Sequence, residues 1–208
     1  MNALAIRVSQ IAGWWLLALL AFAVAGYALA LLGVPAWRPS FARDLLAGQP
    51  LAAWTHFAGG SIALVVGALQ VNRWLRMRHR RLHRWLGRIY VIAVLAGGAA
   101  AFALALNSPM GFPAQLGFGL LAVLWIGSTL TAWWCARRQC FDRHRDWMLR
   151  SYALTLAAVT LRLYLPLSQI AGIPFPAAYV AIAWLCWVPN LVLIEWLVLA
   201  FRPTRSIE

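Results

Sequence analysis

The chain has 208 residues, of which 63% are hydrophobic and 11% are charged, and its formal net charge is +13. A soluble domain of this length cannot bury so much apolar surface, so the composition excludes an ordinary water-soluble domain and predicts a protein embedded in lipid. The positive charge would also suit a nucleic-acid-binding protein. However, the arginines lie in short segments between long apolar runs, so we do not expect nucleic acid as a partner.

Six apolar runs follow one another along the chain, each of them roughly 20 residues long and able to cross about 30 Å of hydrocarbon. Backbone polar groups must be satisfied inside lipid, so these runs predict helices and not strands. In chain order the predicted spans are residues 10–33, 54–73, 86–107, 114–135, 150–171 and 177–200. We therefore predict an all-α fold in which residues 1–208 form one transmembrane domain, an integral membrane bundle of six helices.

The arginines are distributed very unequally between the two sides of this topology. Fifteen fall on one side, in residues 73–88 and 136–150, at Arg7 and in the C-terminal tail, whereas only Arg38 and Arg43 fall on the other. The positive-inside rule assigns the arginine-rich side to the cytoplasm, and six spans require both termini to share a side. We therefore expect cytoplasmic N and C termini and, besides the lipid bilayer, anionic lipid in contact with the arginine-rich loops.

Two short stretches resemble each other at equivalent places in this topology. His83 to Tyr90 and His144 to Tyr152 each contain a His-Arg pair, then a Trp, an Arg and a Tyr that leads into an apolar helix. The two histidines are 61 residues apart, which fits a degenerate repeat of two helical hairpins in the same orientation. Chance similarity of two short motifs remains the alternative.

The histidines suggest two kinds of bound group. A haem b between His83 and His144, with Arg162 near a propionate, would resemble the paired-histidine sites of membrane cytochromes. The two histidines lie in arginine-rich turns, which is shallow for haem. A metal site that uses His79 and His83, spaced i and i+4, is opposed by the five arginines between positions 76 and 84, so we expect no metal. The simplest alternative is that these side chains cover the headgroup region.

Arg162 is the charged residue that the predicted topology places deepest in the membrane. It lies twelve residues beyond Arg150, roughly 18 Å along the helix. A central charge is costly on a lipid-facing surface, so we expect Arg162 to face the bundle interior and to have a partner. Thr155, Arg162 and Gln169 recur at intervals of seven and share one helix face, which predicts a polar seam.

This seam has two interpretations. In the first, Arg162 binds an anionic group in the cytoplasmic half, with His56, Gln70, Asn190 and Glu195 as further polar residues. In the second, it belongs to a structural network and pairs with Asn190, Glu195 or helix carbonyls. His56 is interpreted either as a proton- or ligand-binding group near the outer face or as an interface histidine bonded to a neighbouring carbonyl.

The sequence contains no nucleophile elbow, phosphate loop, zinc-protease helix or dinucleotide fingerprint, so we expect a protein that is not an enzyme. His56 with the following glycines, Gly67 to Gln70, His83 to Tyr90, His144 to Tyr152 and the Arg162 span together resemble the bacterial domain-of-unknown-function 2306 family of predicted multi-pass membrane proteins. That resemblance implies a helical bundle in the bacterial inner membrane and implies no activity.

Three hypotheses for the function follow from these observations. The protein is a small haem-b or redox-type membrane protein, or it binds or transports a small anion or lipid headgroup. The third hypothesis is a structural membrane component without a ligand.

Overall fold

The computed structural model describes the backbone of residues 3–200 and, within them, the side chains of residue 9 and of residues 11–197. This part of the chain forms ten α-helices and a 3-10 turn at Pro35–Trp37, and it contains no strand. The helices are α1 (Ala3–Gly33), α2 (Ser40–Gly48), α3 (Pro50–Val71), α4 (Arg73–Arg78), α5 (Arg80–Leu106), α6 (Phe112–Arg137), α7 (Phe141–Thr155), α8 (Ala157–Ile170), α9 (Phe175–Leu185) and α10 (Val188–Ala200).

Six helical segments of the described chain are long and apolar enough to cross a membrane, which confirms the predicted fold class. They are Ile11–Gly33, Pro50–Val71, Arg80–Leu106, Phe112–Arg137, Phe141–Ile170 and Phe175–Leu197. The last two segments each consist of two helices in succession, with junctions at Leu156 and at Cys186–Trp187. The short helices α2 and α4 were not predicted from the apolar runs.

Local sequence explains both short helices. Helix α2 begins after Pro39 and ends at Gly48, before Pro50 opens α3. A proline in the first turn of a helix loses no internal hydrogen bond, so each proline suits a helix start. Helix α4 begins after Asn72, whose side-chain oxygen accepts a hydrogen bond from the Leu75 amide at 3.1 Å. This is a helix cap of the usual kind.

The bundle has two chemically different ends. We call α4 and the first turns of α5 and α7 the arginine-rich end, and the segments 34–49, 107–111 and 171–174 the opposite end. Because the chain crosses the bundle six times, an even number, residues 3 and 200 lie at the same end. Arg7, Arg202 and Arg205, which the charge count also assigns to the arginine-rich end, lie outside the described side chains.

Helix α3 packs more extensively against α5 than against any other helix. A Cβ atom added at Gly59 would lie 2.9 Å from the carbonyl oxygen of Ala93 and 3.0 Å from Cα of Gly97, so the two backbones approach as closely as glycine allows. Small residues permit this packing between helices in lipid. Helices α6 and α7 form the second extensively packed pair, so the two expected hairpins are present.

Candidate binding cavity

A cavity of about 660 Å³ lies among α1, α2, α3 and α5 to α9. Pro39, Ser108 and Pro109 line it from the connections at the opposite end of the bundle, whereas Trp125 and Thr155 line it from mid-membrane positions on α6 and α7. The remaining lining is predominantly alanine, leucine, phenylalanine and other apolar side chains. The cavity therefore occupies the half of the bundle away from the arginine-rich end.

Arg162, on α8, is the only Arg, Lys, Asp or Glu among the described residues that line the cavity. Its Nη1 donates to the carbonyl oxygen of Ala158 at 3.0 Å, one turn earlier in the same helix. The guanidinium carbon lies 5.7 Å from the ring centre of Tyr27. Among the described side chains Arg162 forms no ion pair, and its buried Nε has no hydrogen-bond partner.

The partners expected for Arg162 are bonded elsewhere. Glu195 forms an ion pair with Arg150 through Nε and through Nη2, the second contact measuring 2.7 Å. Asn190 donates to the hydroxyl of Thr160 and to the carbonyl of Cys186, each at 3.0 Å. The structural network that joins Arg162 to Asn190 or Glu195 is therefore absent from the described residues. The one hydrogen bond that Arg162 makes to described residues is to a helix carbonyl, the third partner that this interpretation named.

His56 contributes a second polar group to the cavity wall. Its Nδ1 lies 3.1 Å from the carbonyl oxygen of Gly97 on α5. Within the described chain, Nε2 has no hydrogen-bond partner, and it keeps accessible surface. His56 is thus both the interface histidine of one interpretation and a cavity residue, and it is within electrostatic range of Arg162.

Two tyrosines also present polar atoms to the cavity. The phenols of Tyr27 and Tyr179 form no hydrogen bond within the described chain, and both lie within electrostatic range of Arg162. The ring of Tyr179 is held by neighbouring aromatic rings, with centroids 4.9 Å from Phe41 and 5.2 Å from Phe118. Sequence reasoning missed both tyrosines, although each lies in an otherwise apolar span.

A buried hydroxyl network adjoins the cavity and consists of Tyr90, Ser151, Thr155, Thr129 and Trp125. The Tyr90 hydroxyl lies 2.9 Å from Ser151 and 2.8 Å from Thr155. Thr129 lies 2.6 Å from Ser151, and the Trp125 indole donates to Thr155 at 2.8 Å. The network joins α5, α6 and α7. Of its five members only Thr155 was singled out from the sequence, although Tyr90 and Ser151 are 61 residues apart, which is the spacing of the two similar stretches.

His83 and His144 are near one another but away from Arg162. His83 is within electrostatic range of His144, and neither residue lines the cavity. The Gln70 side chain donates to the backbone oxygen of His83 at 2.7 Å, and His144 Nδ1 contacts the backbone oxygen of Ala132 at 2.9 Å. The expected single site is therefore divided into a histidine pair near the arginine-rich end and a cavity around Arg162.

This division gives no support to a haem between His83 and His144. A haem ligand pair must face each other across a space as large as the macrocycle, and neither His83 nor His144 lines the cavity of about 660 Å³. The described residues also contain no group of three or more His, Cys, Asp or Glu that could hold a metal ion.

The arginine-rich end is electrostatically crowded. Burial lowers the pKa of Arg76 from its usual value, and the positive charges of Arg145 and Arg73 lower it further. Arg145 belongs to α7, so α4 and the start of α7 are neighbours in space although about 70 residues separate them in sequence. The two arginine-rich segments thus form one basic surface.

No curated protein and no solved structure matches the chain. Residues 53–198 match the family described as "Predicted membrane protein (DUF2306)". The match includes α4 to α9 entirely, with most of α3 and α10, and therefore includes both His56 and Arg162. With six helices able to span a membrane, the chain is a multi-pass membrane protein and belongs to the domain-of-unknown-function 2306 family.

Proposed function

We propose that the protein binds an amphipathic monoanion, a molecule with one negative group and an apolar tail, and that Arg162 contacts the negative group. The observation that carries this proposal is the position of Arg162, which has no carboxylate partner among the described residues and lies inside a largely apolar cavity. Holding an uncompensated charge at membrane depth costs several kcal/mol, and a bound anion offsets that cost.

The charge of the lining supports a ligand with a single negative charge. Arg162 is the one formal charge among the described lining residues, so one anionic group neutralises the cavity. The free phenols of Tyr27 and Tyr179 add hydrogen-bond donors close to the guanidinium. Arginine with hydroxyl donors suits a carboxylate or a phosphodiester, because both present several acceptor oxygens.

The size and polarity of the cavity support an apolar tail. A volume of about 660 Å³ lies within the usual range of small-molecule sites, which are mostly apolar with a few polar groups that fix orientation. A small hydrophilic anion would leave most of this apolar wall in contact with water. A long-chain carboxylate or a single-chain phospholipid fills it.

The test uses purified protein in lipid nanodiscs and radiolabelled dodecanoate, with binding to empty nanodiscs subtracted. We expect saturable binding by the wild type and at least a tenfold weaker affinity in Arg162→Gln, because a charge-assisted contact in a low dielectric is lost. Arg88→Gln is the matched control, since it makes the same change at an exposed residue near the arginine-rich end and should leave the affinity unchanged. A lysophosphatidylglycerol probe distinguishes the phosphodiester from the carboxylate.

Two results would overturn this proposal. One is equal affinity of the wild type and Arg162→Gln for both probes. The other is binding of methyl dodecanoate, which has the same tail and no charge, as tight as that of dodecanoate.

We also propose that the arginine-rich end faces the cytoplasm of a bacterial inner membrane and contacts anionic lipid there. The excess of arginine at this end supports the orientation. Exposed tryptophans beneath arginines support contact with headgroups: the guanidinium of Arg88 lies 4.8 Å from the Trp85 ring centre, and that of Arg138 lies 5.1 Å from the Trp134 ring centre. Such pairs suit the interface between headgroups and hydrocarbon. A reporter fused at Glu208 should be cytoplasmic, and a periplasmic reporter would reverse the orientation.

A further inference from the structure

We infer that the cavity selects amphipathic anions that carry a hydroxyl group near the negative group, because His56 offers a hydrogen-bond acceptor in the same cavity as the Arg162 donors. The ligand class would be long-chain 3-hydroxy carboxylates and molecules with the same head. This inference rests on the proposed function and adds the identity of the ligand head.

The hydrogen bond at Nδ1 determines what His56 offers to a ligand. A carbonyl oxygen only accepts hydrogen bonds, so the contact between Nδ1 and the Gly97 carbonyl requires the hydrogen on Nδ1. In the neutral ring Nε2 then has no hydrogen and is an acceptor. Since Nε2 keeps accessible surface and has no partner within the described chain, that acceptor is available to a group in the cavity.

The hydroxyls of Ser61 and Thr155, which also line the cavity, do not offer an equivalent acceptor. Ser61 is 3% exposed, and its hydroxyl donates to the backbone oxygen of Phe57 at 2.7 Å. Thr155 is also buried and already accepts from Trp125 and donates to the backbone oxygen of Ser151. Besides the phenol oxygens of Tyr27 and Tyr179, which also carry a hydrogen of their own, the imidazole nitrogen of His56 is therefore the acceptor that remains open within the described lining.

The two open groups are complementary in kind. The guanidinium of Arg162 only donates, and the neutral ring of His56 accepts at Nε2. A ligand that is only an anion leaves that nitrogen without a donor in an apolar space, which is unfavourable. A hydroxyl on the β-carbon of the carboxylate ligand donates the missing hydrogen bond to Nε2 while the carboxylate stays on Arg162.

The experiment compares two probes, dodecanoate and 3-hydroxydodecanoate, on the full chain in nanodiscs. We expect the wild type to bind the hydroxy acid about fivefold more tightly, as one additional neutral hydrogen bond predicts. His56→Phe should abolish this ratio while the affinity for dodecanoate is retained. His56→Gln, whose side-chain oxygen is again an acceptor, should restore part of the ratio and serves if the phenylalanine variant does not fold.

Tyr179→Phe is the control variant. It removes a hydroxyl from the cavity but keeps the ring, so it should change the affinity for both probes equally and leave the ratio intact.

The outcomes separate this inference from the proposed function. If both probes bind equally and both depend on Arg162, the hydroxyl selectivity is wrong and the anion site stands. If the ratio persists in both His56 variants, the assignment to His56 is wrong. If neither probe binds the wild type, the proposed function fails and this inference fails with it.

Discussion

Arg150 and Arg162, two of the four arginines in the helical segment Phe141–Ile170, lie in contrasting surroundings. Arg150 has a carboxylate partner, Glu195, and its guanidinium also lies over the ring of Trp147. Within the described part of the chain, Arg162, twelve residues later, makes a single hydrogen bond, which is to its own helix, and it otherwise faces a cavity. The same contrast separates two neighbouring groups of polar side chains. Every member of the hydroxyl network has a hydrogen-bond partner, whereas His56 Nε2 and the phenols of Tyr27 and Tyr179 in the cavity have none within the described residues.

This contrast separates what holds the bundle together from what is available to a ligand. Polar groups in lipid are stabilising when paired with one another and costly when left open. The paired polar groups, which are the Arg150–Glu195 ion pair and the hydroxyl network, are therefore expected to determine stability. The unpaired polar groups of the cavity are expected to determine binding. Three matched pairs of substitutions test this division.

The largest difference is expected between Gly67→Ala and Gly60→Ala on α3. A Cβ atom at Gly67 would overlap the ring of Tyr152 and lie 3.1 Å from the ring of Tyr90, and both rings are buried. We expect a loss of about 3 kcal/mol in the free energy of unfolding. At Gly60 no heavy atom lies within 4 Å of the added carbon, so stability should be unchanged or rise by up to about 1 kcal/mol. Unfolding in mixed micelles measures both, and equal losses would contradict the division.

A smaller difference is expected between Arg150→Gln and Arg162→Gln in protein without ligand. The first leaves Glu195 without its guanidinium and should cost about 2 kcal/mol, less than for a fully buried pair because Glu195 is 40% exposed. The second removes an uncompensated charge, so stability should stay the same or increase. Thermal unfolding in detergent measures both variants. A loss in Arg162→Gln as large as that in Arg150→Gln would mean that Arg162 is a structural residue.

The smallest difference is expected between Tyr90→Phe and Tyr179→Phe. Tyr90 contributes two hydrogen bonds to the network, and their loss should cost about 1 kcal/mol. The Tyr179 hydroxyl has no bond within the described chain, so its removal should be neutral for stability. The same thermal measurement applies, and a neutral Tyr90→Phe would show that the network does not contribute to folding.

The spans were predictable because apolar length alone distinguishes a membrane helix. The predicted run 114–135 differs from the observed helix Phe112–Arg137 by two residues at each end. The fifth span begins at Phe141 and not at residue 150, because charged residues of α7 such as Asp142 and Arg145 continue the helix outside the apolar run. Hydropathy does not detect a polar extension of a helix.

The site was less predictable, because its composition depends on how the helices meet. The early start of α7 and the length of α8 place Arg162 eight residues before Ile170, roughly 12 Å along the helix from its end. It therefore lies in the half away from the arginine-rich end, and the expected site with His83 and His144 did not form. The predicted seam also ends early: Thr155 and Arg162 line the cavity, but Gln169 is exposed.

The hydroxyl network has more hydrogen-bond contacts than its side chains have hydrogens to donate. Its four contacts between side chains, together with the bonds from Thr155 to the Ser151 carbonyl and from Thr129 to the Trp125 carbonyl, make six. Tyr90, Ser151, Thr155, Thr129 and Trp125 supply one hydrogen each, which makes five. At any instant one contact therefore lacks a hydrogen, and more than one arrangement of the five fits the same heavy-atom positions. The centre of the bundle can thus reorient its dipoles without moving a helix, which makes it a polarisable layer between the cavity and the arginine-rich end.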